Sequence, residues 1–344
     1  MVKSRCSSCG GNLVFSPKNQ CLMCEKCSSI SPIHSNINIL KHNYDDYLKG
    51  ESNETSSLPK KDITNCSTCG ASINMKGLEY SGKCPYCDTS LVLNSSKDNI
   101  NIDAIIPFKI DKDNLYEIYR QNVSKKWFIP NTFKKKPPMD KVKGYYIPSF
   151  SFDANSYSEY RGVLENTHTD KEGNRHTERK HISGKTNFNL TNILIESSSK
   201  IEQEQLKGVL PYNLKEAVSY QDEFVLGYSV EKFEDRIENC YNLAKYEMDS
   251  IIRAQILSRY HYDRVVSFEC NTVYSDRKYS YYMLPIYQIE FEYKDKKYLS
   301  YMNGQTGRVG TGIPKSPVKI TFTVLLVLLF LAIIFTPIIL SNIL

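Results

Sequence analysis

Regularly spaced cysteines in the first ninety residues indicate metal binding. The segment that starts at residue 66 reads CSTCGASINMKGLEYSGKCPYC, in which fourteen residues separate two Cys-x-x-Cys pairs. The segment that starts at residue 6 reads CSSCGGNLVFSPKNQCLMCEKC and repeats that spacing at an offset of sixty residues. Four thiolates at this spacing can complete a tetrahedral site for Zn²⁺. The repeat therefore predicts two structural zinc sites, with the ligands Cys6, Cys9, Cys24 and Cys27 in the first and Cys66, Cys69, Cys84 and Cys87 in the second.

A fifth cysteine in the first segment, Cys21, has no counterpart in the second, so we expect it to stand outside the site or to compete as a ligand. Iron accepts the same four-thiolate geometry, so the spacing does not separate zinc from iron. The string Cys84-Pro85-Tyr86-Cys87 also resembles a glutaredoxin active site. A redox site would need a helix after this string, whereas DTSLVLNSS is strand-like and then polar.

Short hairpins must hold the cysteines, because each repeat is too small to bury a core of its own and depends on its metal for folding. We expect one zinc ribbon over 1–30 and a second over 63–94. Between them, 31–62 is predicted to be a polar linker, with a short helix near 40–48.

The residues from 102 to 312 alternate apolar runs with turns and predict one α+β domain rich in tyrosine, of which the chain has 25. Apolar residues at helical spacing predict helices over 113–127 and 231–260. Each helix leads to a strand-like segment with paired tyrosines before a proline, YYIPSFSFD in the first case and YYMLPIYQIEFEY in the second. This similarity suggests two related units, each a helix packed on an antiparallel sheet.

An uncharged apolar run over 320–340 reads ITFTVLLVLLFLAIIFTPIIL. As a helix it would be about 31 Å long, which is enough to cross a bilayer core. Basic residues precede the run and none follows it, so the positive-inside rule places the residues up to about 317 in the cytoplasm. With no apolar signal segment near residue 1, we expect a single-pass, tail-anchored protein of the cell membrane.

The sequence lacks the common catalytic motifs, such as a phosphate-binding glycine loop, His-Glu-x-x-His or Gly-x-Ser-x-Gly, so we expect a protein that is not an enzyme. His168 and His176 would face each other if a hairpin turns near 170–174, and they could form a weak metal site, although a solvated hairpin is the simpler interpretation. The basic, aromatic run KKWFIPNTFKKKPP could bind single-stranded nucleic acid or anionic headgroups. We favour a helix end and a loop with core aromatics there.

The chain resembles the bacterial membrane-associated proteins described as TFIIB-type zinc-ribbon-containing, of which YdjG-like proteins are typical. The resemblance runs nearly from end to end and includes CSSCGGNLVFSPKNQ, CSTCGA with CPYC, KWFIPNTFK, GYYIPSFSFD and YLSYMNGQTGRVG. It implies a membrane adaptor on the cytosolic face, associated with envelope-stress systems of the PspA type and with flotillin-like or TPM-domain neighbours. It carries over no catalytic residues, and Cys21 departs from its pattern.

Together these features favour a membrane-anchored scaffold that recruits protein partners at the inner face of the membrane. The alternative is a membrane-tethered regulator that binds nucleic acid through its zinc ribbons, for which affinity should fall steeply with salt.

Overall fold

The structure, a computed structural model, describes residues 5–35, 37–50, 63–66, 68–74, 79–84, 86–87, 89–92, 102–170, 173–198, 201, 203–231, 233 and 236–341. Its α+β fold confirms the predicted class. The strands are β1 (Leu13–Ser16), β2 (Cys21–Cys24), β3 (Ile30–Ser31), β4 (His42–Asn43), β5 (Ile63–Asn65), β6 (Ser72–Asn74), β7 (Glu79–Lys83), β8 (Ser90–Val92), β9 (Ala104–Ile105), β10 (Lys141–Thr169), β11 (Arg175–Glu196), β12 (Val218–Ser219), β13 (Ser229–Glu231), β14 (Arg264–Tyr293) and β15 (Lys296–Asn303). The helices are α1 (Tyr44–Leu48), α2 (Lys112–Ser124), α3 (Asn131–Lys135), α4 (Gln203–Val209), α5 (Ile237–Leu257) and α6 (Pro317–Ser341).

Two long strands, β10 and β14, run antiparallel through the centre of the main sheet, with Ile147 opposite Leu284. On the outer side of β10, β13 pairs in parallel with residues 145–146. On the outer side of β14, β9 pairs in parallel with residues 282–283. Each central strand thus has a short parallel neighbour at the two residues before the central pair, Ile147 and Leu284. This equivalence defines a local two-fold axis between Ile147 and Leu284.

The two halves related by this axis are β9–α2–β10–β11 and β13–α5–β14–β15. In each half a short strand leads to a helix, then to a long central strand, then to an antiparallel partner. The helices also correspond position by position, since both bury residues at the same distances from their first turn. These residues are Leu115, Tyr119 and Val123 in α2 and Cys240, Ala244 and Met248 in α5. This shared order of elements is the arrangement that two related units would have.

Alternation along the central strands sends every second side chain to one face of the sheet. Tyr146, Phe150 and Phe152 of β10 enter one large core cluster together with the equivalent residues of β14, for example Met283 and Tyr287. Helices α2 and α5 cover that face with their buried residues. The opposite face carries a smaller cluster, which α4 covers. Each large side chain that is removed from water there stabilises the fold by about 1.5–3 kcal/mol.

Local boundaries differ from the sequence prediction where long-range pairing decides them. The helix predicted over 231–260 is α5, which starts later because Val230 and Glu231 are buried in strand β13. The helix predicted over 113–127 is α2, which ends at Ser124. The strand-like segment YYIPSFSFD, at 145–153, is part of one longer strand, β10, whose register shifts beside Asp153.

The described first part of the predicted linker, 31–35 and 37–50, packs on the sheet domain instead of standing free. Strand β4 pairs with β14, and the Asn43 side chain caps the next helix, α1, by accepting from two backbone N–H groups. Tyr44 is buried and stacks on Tyr241, with 4.2 Å between the ring centroids. The polar composition of this segment gave no sign of the anchor, because two tyrosines, Tyr44 and Tyr47, make its ring contacts with Tyr241 and Tyr279. The remaining residues of the segment, 51–62, lie outside the described part.

Helix α6 is apolar over Pro317–Phe335, with a mean hydropathy of 2.8, and none of that stretch is buried against the rest of the described chain. It is the one described helix that is long and apolar enough to cross a membrane. An apolar surface of this size left in water would be costly, so α6 supports membrane attachment.

Candidate metal centres

The first candidate centre lies at the open end of the β1–β2 hairpin. The sulfur atoms of Cys6, Cys9, Cys24 and Cys27 lie within 4.8 Å of one another. The Sγ atoms of Cys9 and Cys24 are 3.5 Å apart, and those of Cys6 and Cys27 are 3.7 Å apart. These are the four cysteines that the sixty-residue repeat assigns to the first site.

The second centre, held by strands β5–β8, has the same arrangement. Its four sulfurs also lie within 4.8 Å of one another, with 3.6 Å between Cys66 and Cys87 and 3.7 Å between Cys69 and Cys84. A tetrahedron with metal–sulfur distances of about 2.3 Å has edges of about 3.8 Å. A disulfide would need sulfurs about 2.05 Å apart. Both donor sets therefore fit one four-coordinate metal ion each.

The backbone around each first cysteine pair folds into the same tight turn. Gly10 donates its N–H to the carbonyl of Cys6 at 2.9 Å, and Gly70 donates to the carbonyl of Cys66 at 2.8 Å. Both glycines have positive φ, +70° and +72°, where a side chain would be strained. In the first site, the N–H of Ser8 also points at Cys6 Sγ, at 3.4 Å. The glycine after each pair is thus part of the site, since it closes the turn that aims two sulfurs at one point.

Two hydroxyl residues that the sequence reasoning missed contact the sulfurs. Ser29 Oγ lies 3.0 Å from Cys6 Sγ and 3.2 Å from Cys27 Sγ, and its hydrogen bonds lower the pKa of Cys6 to about 6 and also lower the pKa of Cys27. Thr89 Oγ1 lies 3.2 Å from Cys87 Sγ and lowers the pKa of that thiol to about 6. Favouring the thiolate favours metal ligation. The signal was available, because Ser29 and Thr89 are also sixty residues apart.

The spare cysteine, Cys21, belongs to neither group of sulfurs. It lies on β2 opposite Ser16 and is 6% exposed, and burial raises the pKa of its thiol. A buried thiol with a raised pKa is a poor ligand in competition with four converging cysteines.

Ribbon one, the hairpin β1–β3 with its cysteines, is packed into the sheet domain. Phe15 enters the main core and meets Phe224 edge-on, with ring centroids 5.3 Å apart, while its N–H donates to the carbonyl of Leu226 at 2.9 Å. Leu226 also joins the small cluster around Cys6 and Cys24. Leu226 of the domain therefore packs against the first metal centre, while Phe15 of the ribbon packs in the main core.

Ribbon two, built on β5–β8, is attached through backbone pairing. Strand β7 pairs antiparallel with β13, which continues the main sheet outward to β8. Arg5 of ribbon one donates to the Gly10 carbonyl at 3.0 Å and to Thr89 Oγ1 of ribbon two at 2.5 Å. The two ribbons are therefore in contact with each other as well as with the sheet.

The histidines considered in the sequence do not join either centre. His168 and His176 face each other across the β10–β11 hairpin, as predicted, with ring centroids 5.6 Å apart. Asp170 bonds His176 at 2.8 Å. Among the described residues, no third metal-ligating side chain lies close to both histidine rings. His42 bonds Asp103 at 2.8 Å and belongs to neither centre.

The comparisons with known proteins supply a distant relative. Over 219 residues the chain is 27% identical to a protein of Bacillus subtilis (strain 168) named "Uncharacterized protein YdjG". The aligned part covers 62% of this chain, and the chain spans 63% of the length of that relative. No protein-family model and no solved structure matches the chain.

Proposed function

We propose that this protein is a membrane-anchored adaptor with two structural zinc ions, which recruits protein partners at the inner face of the membrane. The observation that carries the proposal is the closed donor set of each centre. Four cysteines fill a tetrahedron in both cases, whereas a catalytic zinc keeps one position open for water or substrate. A closed site stabilises a surface and supplies no reaction centre.

The way the ribbons are held supports a binding role. Ribbon one packs into the core through Phe15, and ribbon two extends the sheet through β7. Both are thus attached to the domain that carries α6. Lys315 precedes that helix and Lys319 lies in its first turn, so the positive-inside rule favours a cytoplasmic position for the domain. A surface fixed in this way loses little conformational entropy when a partner binds.

The contact that we propose for a partner is centred on Tyr86. This side chain is 75% exposed and stands between two cysteines of the second centre, which hold its backbone in place. Rigidly held tyrosines are enriched among the residues that dominate protein interfaces. The resemblance to envelope-stress adaptors suggests a PspA-like, flotillin-like or TPM-domain protein as the occupant.

Crosslinking in intact membranes, followed by affinity capture and identification of the captured proteins, tests the proposal. We expect Tyr86→Ala to lose the captured membrane-stress partner while both metal ions stay bound. Tyr246→Ala is the matched control, since Tyr246 is also 75% exposed but lies on α5. Equal capture by both variants would contradict a contact at ribbon two. Capture of nucleic acid or of transcription proteins would instead support the salt-sensitive, nucleic-acid-binding alternative.

The identity of the metal is tested separately by elemental analysis of the purified full-length chain. We expect two zinc ions per chain and one in Cys84→Ser. Iron at the same ratio would support two closed four-cysteine sites but would contradict zinc as their metal. A chain that binds less than one metal ion would contradict the proposal that each four-cysteine set holds a structural metal ion.

A further inference from the structure

The turn after α2 presents two large aromatic side chains to solvent. Trp127 is 58% exposed and Phe128 is 43% exposed, while their neighbours Ile129 and Phe133 are buried in the core. The run KKWFIPNTFKKK thus has two roles, since Ile129 and Phe133 hold the loop on the domain and Trp127 and Phe128 face outward. We call residues 125–136 the juxtamembrane loop.

Contacts with α6 fix the position of this loop along the helix. Lys319 Nζ donates to the carbonyls of Trp127 and Ile129, at 3.1 and 2.9 Å, and to Asn131 Oδ1 at 2.7 Å. The same ammonium group lies 5.3 Å from the centroid of the Trp127 ring. The indole N–H of Trp127 donates to Thr323 Oγ1, at 3.3 Å.

These contacts place the indole beside the first apolar turn of α6. Ile320, the first residue of the uncharged run, lies between Lys319 and Thr323, both of which touch the Trp127 side chain. Tryptophan is enriched at this level of membrane proteins, where an amphipathic ring meets headgroups on one side and acyl chains on the other. If α6 spans the bilayer, Trp127 has to lie in the headgroup region.

Basic side chains surround the aromatic pair. Lys125, Lys135 and Lys136 are exposed, and residues 124–139 contain no acidic residue. Burial, and then the charge of Lys319, lower the pKa of Lys134. Positive charges therefore accumulate at the end of the domain from which α6 leaves.

We propose that the juxtamembrane loop is a binding surface for anionic phospholipids, with Trp127 and Phe128 inserted at headgroup level and the lysines in contact with lipid phosphates. This inference rests on the membrane attachment in the proposed function and is independent of the partner and of the metal. Under this proposal, the basic, aromatic run binds lipid headgroups and not nucleic acid.

The full chain reconstituted in vesicles tests this surface directly, because Trp127 is the only tryptophan of the chain. Intrinsic tryptophan fluorescence then reports on one side chain. We expect a blue-shifted emission, protection from aqueous acrylamide and quenching by lipids with brominated acyl chains. At equal mole fraction, brominated phosphatidylglycerol should quench Trp127 about two- to threefold more than brominated phosphatidylcholine, because lysines near the surface attract anionic lipid.

A charge-removal variant and a matched control separate lipid selectivity from simple proximity. Lys125→Gln/Lys135→Gln/Lys136→Gln should equalise quenching by the two brominated lipids. Arg175→Gln/Lys180→Gln/Lys185→Gln removes the same charge from β11, whose hairpin lies at the other end of β10, and should keep the preference.

Three outcomes would overturn the inference in different ways. A chain that floats with the vesicles but leaves Trp127 open to acrylamide and insensitive to brominated lipid would refute the juxtamembrane loop alone. Equal quenching by both lipids in the wild type would refute the anionic preference. A chain that does not float with the vesicles at all would refute membrane attachment and, with it, the proposed function.

Discussion

The two ribbons each hold four cysteines at the same spacing but are attached to the domain by different physical means. Ribbon one buries an aromatic side chain, Phe15, in the main core. Ribbon two joins through backbone hydrogen bonds between β7 and β13, at the side of the sheet that ends in β8. Ribbon one is therefore coupled to the core by a buried side chain, and ribbon two is coupled to a strand by backbone pairing. For this reason, the same cysteine set need not contribute equally to the stability of the sheet domain.

The largest expected effect comes from removing one ligand in each ribbon. Cys24 and Cys84 are equally buried, at 1% exposure each, so Cys24→Ser and Cys84→Ser are a matched pair. Each should lose one of two metal ions, and with it a binding free energy of about 10–16 kcal/mol. We expect only Cys24→Ser to lower the calorimetric unfolding temperature of the sheet domain strongly. Equal shifts in the two variants would show that the mode of attachment is irrelevant.

The second prediction tests the side-chain anchor itself. Phe15→Ala should lower the free energy of unfolding by about 3–5 kcal/mol, because it leaves a cavity beside Phe224 without touching a metal ligand. Urea unfolding at constant metal occupancy measures this loss. Tyr86→Ala removes an exposed aromatic residue from ribbon two and should stay within about 0.5 kcal/mol of the wild type. A small effect of Phe15→Ala would place the anchor of ribbon one elsewhere.

The third prediction compares the hydroxyl groups beside the sulfurs. Ser29→Ala and Thr89→Val should each weaken metal binding by about 10–100-fold, as the loss of groups that support metal ligands does elsewhere. The loss should be larger for Ser29, which contacts two sulfurs in the structure, than for Thr89, which contacts Cys87. Competition with a chromogenic chelator gives both affinities. The reverse order would argue against hydroxyl bonding as the cause.

The smallest effect concerns the contact between the ribbons. Arg5→Gln removes the bond to Thr89 and should cost about 1 kcal/mol, the usual contribution of such a hydrogen bond. Amide hydrogen exchange should become faster in ribbon two and stay unchanged in β1. Faster exchange in both ribbons would mean that Arg5 acts mainly through its bond to Gly10.

The sequence predicted the features that depend on spacing along the chain. The sixty-residue repeat assigned two cysteine sets, and the paired tyrosines before Pro148 and Pro285 indicated a duplicated sheet unit. Features that depend on distant partners were missed. Glu231 was predicted to begin a helix but ends strand β13, and Tyr44 lies in a polar segment but packs on Tyr241. Local composition carries no information about which surface a segment will meet.

The central ladder of β10 and β14 also determines how far the protein reaches from a bilayer. The start of β10 lies beside the end of β14, where Tyr293 bonds Thr132 of α3, close to the exit of α6. The β10–β11 hairpin lies at the opposite end of the ladder. At about 3.3 Å per residue, the 29 residues of β10 have a contour length of roughly 90 Å. If α6 is in the membrane, that hairpin lies at the end of the ladder remote from the bilayer exit, where it is available to components that do not touch the lipid.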